Sequence, residues 1–154
     1  MGRKNYRYSA FTLVEILVVI AILGVVATVG VAYSVNQIYK ANDANRKGAL
    51  NRIAVALEEY EKDNNCYPPA SPDPLVCSPG TGLAPYLAKI PCDPVTGNPY
   101  SYEPGIPAAC PTWYRIYTKL QNSTDTSIIE LIGPGGAYNY YTGSANAPKP
   151  TPNP

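Results

Sequence analysis

The amino-acid sequence predicts an α+β subunit shaped like a ladle, in which one long N-terminal helix packs on a small antiparallel sheet of about three strands. Three observations lead to this fold class. An unbroken apolar run spans residues 11–33, an apolar stripe at helical spacing follows it, and short alternating segments lie near the C-terminal end. At 154 residues, the chain has the length of a single domain with an appendage.

Composition excludes several classes of function. The chain has 12 Lys+Arg, 11 Asp+Glu and a formal net charge of +1, so it lacks the basic surface typical of nucleic-acid binding. It has no His, the commonest general base and metal ligand. No nucleophile–base pair or phosphate loop lies in a recognisable motif. We therefore expect no enzyme, no catalytic residue, no cofactor and no nucleic-acid partner for the subunit alone.

The apolar run at residues 11–33 predicts a helix long enough to cross a bilayer core of about 30 Å. Arg3, Lys4 and Arg7 precede it without any acid, which places the N-terminus in the cytoplasm and the rest of the chain outside. A secretory signal peptide has a shorter apolar region followed by small residues, whereas here Ser9 and Ala10 come before the run.

Glu15 is the one charged residue within the run. A plain membrane anchor gives no reason for it, because a charge inside a membrane helix costs about 2.5–3.5 kcal/mol on insertion scales. The alternative structural interpretation is that Glu15, near the start of the run, extends to the membrane surface.

Residues 9–15, Ser-Ala-Phe-Thr-Leu-Val-Glu, follow a basic leader and resemble the class III signal of type IV prepilins and pseudopilins. The resemblance implies that a prepilin peptidase removes residues 1–10 by cutting between Ala10 and Phe11, and that Phe11 is N-methylated. The family usually has Gly before the cut, where this chain has Ala10. The resemblance also implies the pilin fold, self-assembly into a helical filament, an inner-membrane assembly platform as a partner, and contact with membrane lipid before assembly.

Cleavage would give Glu15 a partner. It creates a positive amine on Phe11, one helical turn from Glu15, and a neighbouring helix with an axial stagger would present the same amine. In a low dielectric a paired carboxylate costs much less than an unpaired one. We therefore predict that Glu15 sets the assembly register, the role that the family resemblance also implies.

An amphipathic stalk helix is predicted over residues 34–64. Its apolar stripe has spacings of 3 and 4 residues, with charged residues, Arg46 among them, on the other faces. Asn64-Asn65 and the prolines at 68 and 69 are expected to end the helix. The stripe consists of Leu50, Ile53, Leu57 and Tyr60.

A cysteine-containing β domain is predicted over residues 65–144, followed by a Pro-rich disordered tail at 145–154. All four cysteines of the chain lie in this domain, on the predicted exported side, so we expect two disulfides. Sequential pairing is favoured because it closes the shortest loops. Zinc is the rival, but the spacing contains no CxxC pair and the chain has no His. The cysteines are Cys66, Cys77, Cys92 and Cys110.

Strands are predicted at residues 100–102, 113–120 and 127–132. In the longest of them, alternation places Tyr114, Ile116, Thr118 and Leu120 on one buried face. The sheet is expected to bury that face against the stalk stripe.

Residues 59–64, the Tyr67-Pro68 pair and residues 90–102 look like the corresponding segments of the G-type major pseudopilin of type II secretion. G-type relatives carry a calcium loop with aspartates after the last strand. Residues 133–142 contain no carboxylate here, so we predict no calcium site and no metal ligands.

The most favoured function is a structural subunit of a type IV-like filament, a G-like pseudopilin used in protein export. The alternatives are a type IVa pilin for adhesion, motility or DNA uptake, and a membrane-anchored binding module. The expected location is the inner membrane, with a single pass, and then an extracytoplasmic filament.

Overall fold

The structure, a computed structural model, describes residues 11–77 and 82–153, except for the side chains of residues 29–33. The predicted leader at residues 1–10 lies outside the described residues. In chain order the described elements are the helix α1 (Leu13–Asn64), the strands β1 (Ser101–Pro104) and β2 (Tyr114–Thr118), a short 3-10 helix (Pro134–Gly136) and the strand β3 (Tyr140–Gly143). The strands form one antiparallel sheet in the order β1-β2-β3. The predicted α+β class is confirmed.

The chain divides into two compact units, and the first ends at Ile38. Its helix begins at Leu13, where the side chain of Thr12 caps the first turn by accepting a hydrogen bond from the Glu15 backbone N–H at 3.3 Å. Every side chain of residues 11–28 is exposed, although most of them are apolar. Over the part of the chain that is described, no helix combines the length and apolarity needed to cross a membrane.

The second unit starts at Tyr39 and contains the hydrophobic core. Leu50, Ile53 and Leu57 of α1 are almost completely buried, which confirms three of the four positions of the predicted stripe, and the fourth, Tyr60, is half-buried. They pack with residues of the sheet and of the loop between α1 and β1. The helix ends at Asn64, as predicted, because Asn65 adopts a left-handed conformation with φ of 58°. The sheet and loop residues of this core include Leu75, Leu83, Ile90, Tyr100, Tyr114 and Ile116.

The third strand is not where the sequence predicts it. Residues 127–132 form turns, with an isolated bridge from Ile132 to Tyr138, and the strand that pairs with β2 is β3. Leu131 has φ of 59° and Gly133 has φ of 75°, so the backbone reverses where the prediction required an extended strand. The aliphatic residues in this segment favoured a strand locally, but this reversal prevents the pairing.

β2 is buried on both faces, whereas the sequence predicts burial on one. Tyr114 and Ile116 face the helix, and Tyr117, which points to the opposite side of the sheet, is also buried. The ring of Tyr117 stacks on Tyr138, with ring centroids 5.7 Å apart, and lies close to Gly133.

The C-terminal tail covers part of this second face, so the prediction of a disordered tail is wrong for residues 145–153. Arg115 donates a hydrogen bond to the carbonyl of Pro148 at 3.1 Å, and the Asn153 N–H donates to the carbonyl of Leu131 at 2.7 Å. The low complexity of the tail concealed these contacts, which use backbone carbonyl and N–H groups.

A disulfide joins Cys77 to Cys92, so the favoured sequential pairing is wrong. The hydrophobic core explains the observed pairing. Leu83 and Ile90, between the two cysteines in sequence, and Leu75, just before Cys77, are all fully buried. Burial of all three folds the segment onto the helix and brings its two ends together. Cys66 and Cys110 carry free thiols.

Candidate functional site

The first candidate site is the N-terminal part of α1, together with the residues just before it. The sequence predicts leader cleavage, N-methylation and the residue that sets the assembly register there. Ala10 is outside the described residues. Phe11 lies two residues before the helix and is 75% exposed, and Glu15 is in the first helical turn, also exposed. At a rise of about 1.5 Å per residue, Glu15 is about one turn from Phe11.

Apolar side chains continue on all sides of this helix through residue 28. An exposed apolar surface of this size, far beyond the single scattered residues of ordinary surfaces, marks a site of association with lipid or protein. It offers no polar group for small-molecule chemistry apart from the first turn and the hydroxyl of Thr28, which bonds to the carbonyl of Val25 at 2.8 Å.

The second unit contains a buried charge cluster that sequence reasoning missed. Arg46, predicted to be solvent-facing, is buried and donates to Asp93 at 2.6 Å and to Asp43 at 2.9 Å. Asp43 also accepts the backbone N–H groups of Gln121 and Asn122, at 2.9 and 2.7 Å. The cluster therefore ties α1 to the loop before β1 and to the loop after β2.

Asp93 is the most strongly perturbed group of this cluster. Burial alone would raise the pKa of its carboxyl, but the hydrogen bond from Arg46 and the backbone N–H groups of Val95 and Thr96 outweigh burial and lower the pKa to about 2. Those two N–H groups each lie 2.9 Å from Oδ1 of Asp93. The charged form of Asp93 thus holds the turn that contains Gly97. The i,i+3 spacing of Asp43 and Arg46 was the signal available in the sequence.

The loop after β2 is held by a second ion pair. Lys47 lies 2.6 Å from the carboxylate of Asp125 and 2.8 Å from the hydroxyl of Ser127. The hydrogen bond from Lys47, followed by those from Ser127, lowers the pKa of Asp125 to about 2. Within residues 11–77 and 82–153, no three His, Cys, Asp or Glu side chains group together so as to hold a metal ion.

The end of α1 is fixed by tyrosine hydroxyls. Tyr67 and Tyr114 donate to the carboxylate of Glu58 at 2.9 and 3.2 Å, and their rings meet edge to face at 4.7 Å. Burial, together with the negative charge of Glu58, raises the pKa of both hydroxyls, so they stay protonated and donating. This cluster is structural, since it joins the helix, the segment after it and β2.

The remaining two cysteines lie at the same end of the helix. The thiol of Cys66 lies two residues beyond α1, and its interaction with the thiol of Cys110 raises the pKa of Cys66. Sequence reasoning placed all four cysteines in disulfides, and the structure brings these two together as thiols.

Comparison with known proteins gives a family model for the N-terminal site and a relative that matches a larger share of the chain. The family model described as the prokaryotic N-terminal methylation motif matches residues 5–31. The type II secretion system core protein G of Pseudomonas aeruginosa is 39% identical over 103 residues, which cover 61% of this chain and 72% of that protein.

This chain belongs to the core protein G family of pseudopilins. No solved structure matches it. The resemblances noted in the sequence, to the class III signal and to the G-type pseudopilin, are both confirmed. The methylation motif includes Ala10, Phe11 and Glu15, and this pseudopilin family consists of structural subunits.

Proposed function

We propose that this pseudopilin is a structural subunit of a type II secretion filament and has no enzymatic activity of its own. The observation that carries the proposal is the exposed apolar segment of α1, with Glu15 in its first turn, on a chain of the core protein G family. Packing such segments together would bury the apolar surface that the single subunit exposes. Membership in this family favours a role in protein export over a surface pilus.

Before assembly, residues 11–33 reside in the inner membrane as a single pass, with Arg3, Lys4 and Arg7 on the cytoplasmic side. The exposed apolar side chains of residues 11–28 support contact with lipid. The remaining residues, the stalk at 34–64 and the β domain, then lie outside the cytoplasm. An inner-membrane assembly platform transfers the subunit from lipid into the filament.

Processing prepares the subunit. A prepilin peptidase removes residues 1–10 and methylates Phe11, and the class III signal within the matched motif supports this step. The cut removes three positive side chains and leaves one positive amine at Phe11. The small side chain of Ala10 leaves the peptide bond accessible to the peptidase.

Glu15 then selects the stagger between subunits. A neighbour whose Phe11 amine is level with Glu15 neutralises the carboxylate, whereas other staggers leave it unpaired in an apolar environment. Because the surrounding apolar surface offers little directional preference, this one ion pair defines the axial position of each subunit.

The cleavage step is tested by terminal sequencing and mass measurement of protein from assembled filaments. We expect a chain that begins at N-methylated Phe11, about 1 kDa lighter than the full sequence. Ala10→Leu should accumulate as unassembled precursor, because its side chain obstructs the bond, while the matched variant Ala10→Gly should be cut at least as well as the wild type. Assembled material that begins at Met1 would refute the proposal.

The register step is tested with Glu15→Leu, and Val14→Leu in the same turn serves as the matched control. Glu15→Leu should insert in the membrane and be cleaved but fail to assemble, since it keeps the apolar surface and loses the pair. Val14→Leu should assemble normally. Filament yield, measured by shearing and sedimentation, decides the outcome, and a normal yield from Glu15→Leu would contradict the role of this residue.

A further inference from the structure

The free thiols of Cys66 and Cys110 lie where two chain segments meet. The N–H of Tyr67 donates to the carbonyl of Pro111 at 2.9 Å, so the residues next to each cysteine are hydrogen-bonded to each other. The sulfur of Cys110 is 4.0 Å from the carbonyl oxygen of Asn65, which directly precedes Cys66. The thiol of Cys110 is close enough to Cys66 to raise the pKa of the Cys66 thiol.

This arrangement brings the two cysteines within reach of a disulfide. A disulfide needs Cα atoms about 4.4–6.8 Å apart, and the hydrogen bond between the adjacent residues Tyr67 and Pro111 holds the segments that carry Cys66 and Cys110 side by side. The thiol of Cys66 donates to the carbonyl of Asn64 and that of Cys110 to the neighbouring carbonyl of Asn65, so forming the bond breaks no ion pair or core contact.

We infer that Cys66 and Cys110 form a second disulfide, which encloses the Cys77–Cys92 bridge. The rival roles for this pair fit less well. A redox-catalytic thiol needs a lowered pKa, whereas the contact with Cys110 raises the pKa of Cys66. A zinc site needs further Cys or His ligands, and none groups with these two thiols among the described residues.

The bridge forms by exchange with a disulfide donor, either a protein disulfide or oxidised glutathione. The exposed Cys110 loses its proton to solvent, and its thiolate attacks one donor sulfur, forming a mixed disulfide and releasing the other donor sulfur as a thiolate. Cys66 then loses its proton and attacks the sulfur of Cys110, which expels the second donor thiolate. Two protons and two electrons leave the protein, and the donor disulfide becomes a dithiol.

The bridge would connect the end of α1 to the loop between β1 and β2. Cys66 follows the last helical residue, Asn64, by two positions, and Cys110 precedes β2 by four. The closed loop of about 45 residues contains all of β1 and the first bridge, so it restrains the unfolded chain strongly. In a filament built on helix packing, this link passes force from the helix directly to the sheet.

Digestion with Asp-N, which cuts before aspartate, distinguishes the three possible pairings. Cuts before Asp63, Asp73, Asp93 and Asp125 place Cys66 in fragment 63–72, Cys77 and Cys92 together in fragment 73–92, and Cys110 in fragment 93–124. The enclosing pairing links fragment 63–72 to fragment 93–124 and leaves 73–92 separate, whereas either other pairing links all three.

The full chain, purified in detergent, is equilibrated with mixtures of oxidised and reduced glutathione, quenched in acid, alkylated and digested. We expect the 63–72 and 93–124 fragments linked, with a loss of about 2 Da relative to the sum of their dithiol masses. Reductant should separate them. Alkylated Cys66 and Cys110 at every glutathione ratio, or a chain cross-linked to a second chain through either cysteine, would overturn the inference.

Two variants test the inference without mapping of the disulfide-linked fragments. Cys66→Ser and Cys110→Ser should each leave one alkylatable thiol and should melt at the same temperature, because the same bridge is lost in both. Under oxidising conditions each should melt roughly 10 °C below the wild type. A wild type that melts no higher than either variant under those conditions would also overturn the inference.

Discussion

Replacing Arg46 with Met tests the charge cluster of the second unit. Met has a similar length but no charge, so the variant keeps the packing of the side chain and removes the only cation that contacts both Asp43 and Asp93 among the described residues. Both carboxylates then remain in a site where the side chains of Asp43 and Asp93 are only 4% and 11% exposed.

The magnitude follows from this burial. Removing one partner of a buried pair costs about 3–5 kcal/mol, because the remaining charge is left uncompensated. Here two like charges remain, so we expect a value within that range even after the carboxylates have regained some water. At about 3 °C per kcal/mol for a chain of this size, the melting temperature should fall by roughly 10–15 °C.

The assay is thermal unfolding of the full chain in detergent, followed by near-ultraviolet circular dichroism of its 14 tyrosines. Arg52→Met, on an exposed position of the same helix, controls for loss of a positive charge and should change the melting temperature little. Asp93→Asn should cost about 2 kcal/mol, as the lowered pKa of Asp93 implies, and so less than Arg46→Met. The amide oxygen of Asn still accepts from Val95 and Thr96, and Arg46 still pairs with Asp43. If Arg46→Met is no more destabilised than Arg52→Met, the reasoning about buried charge is wrong.

Further predictions concern pH, the loop after β2 and the core. Because the pKa values of Asp93 and Asp125 are lowered, their carboxylates stabilise the fold fully above about pH 4 and lose this effect as the pH falls toward 2. The free energy of unfolding in urea should therefore decline over that range, and the decline should be shallower in Asp93→Asn. Lys47→Met should lower the melting temperature by about 2–3 °C at low salt and less at high salt, since its ion pair is partly exposed. Chelators should leave the melting temperature unchanged, and a clear drop would reveal a bound ion. Leu57→Ala should cost about 2–5 kcal/mol by chemical denaturation, against less than about 0.5 kcal/mol for the exposed Val55→Ala.

The helix and its end were predictable from sequence because their signals are local. The stripe from Leu50 to Leu57 repeats at the helical period, and the residues after Asn64 cannot continue a helix. β2 was predictable for the same reason. The class III signal is also local, since residue type and order alone define it.

The features that escaped prediction depend on contacts between distant residues. Arg46 resembles any surface arginine until the fold brings Asp93 beside it. The position of the third strand depends on the reversal at Leu131, which no propensity scale contains. The pairing of Cys77 depends on which residues enter the core, whereas loop length alone favoured another partner.

The segment at residues 148–153 has a consequence for how the β domain acquires its packing. The Asn153 N–H donates to the carbonyl of Leu131 and the carbonyl of Pro148 accepts from Arg115, so part of the cover of the second face of the sheet comes from a segment distant in sequence from β2. That side of the surroundings of Tyr117 is therefore complete only when residues 148–153 have docked. Cutting the chain just before this segment would open the second face to water while the helix-facing side of β2 stays covered.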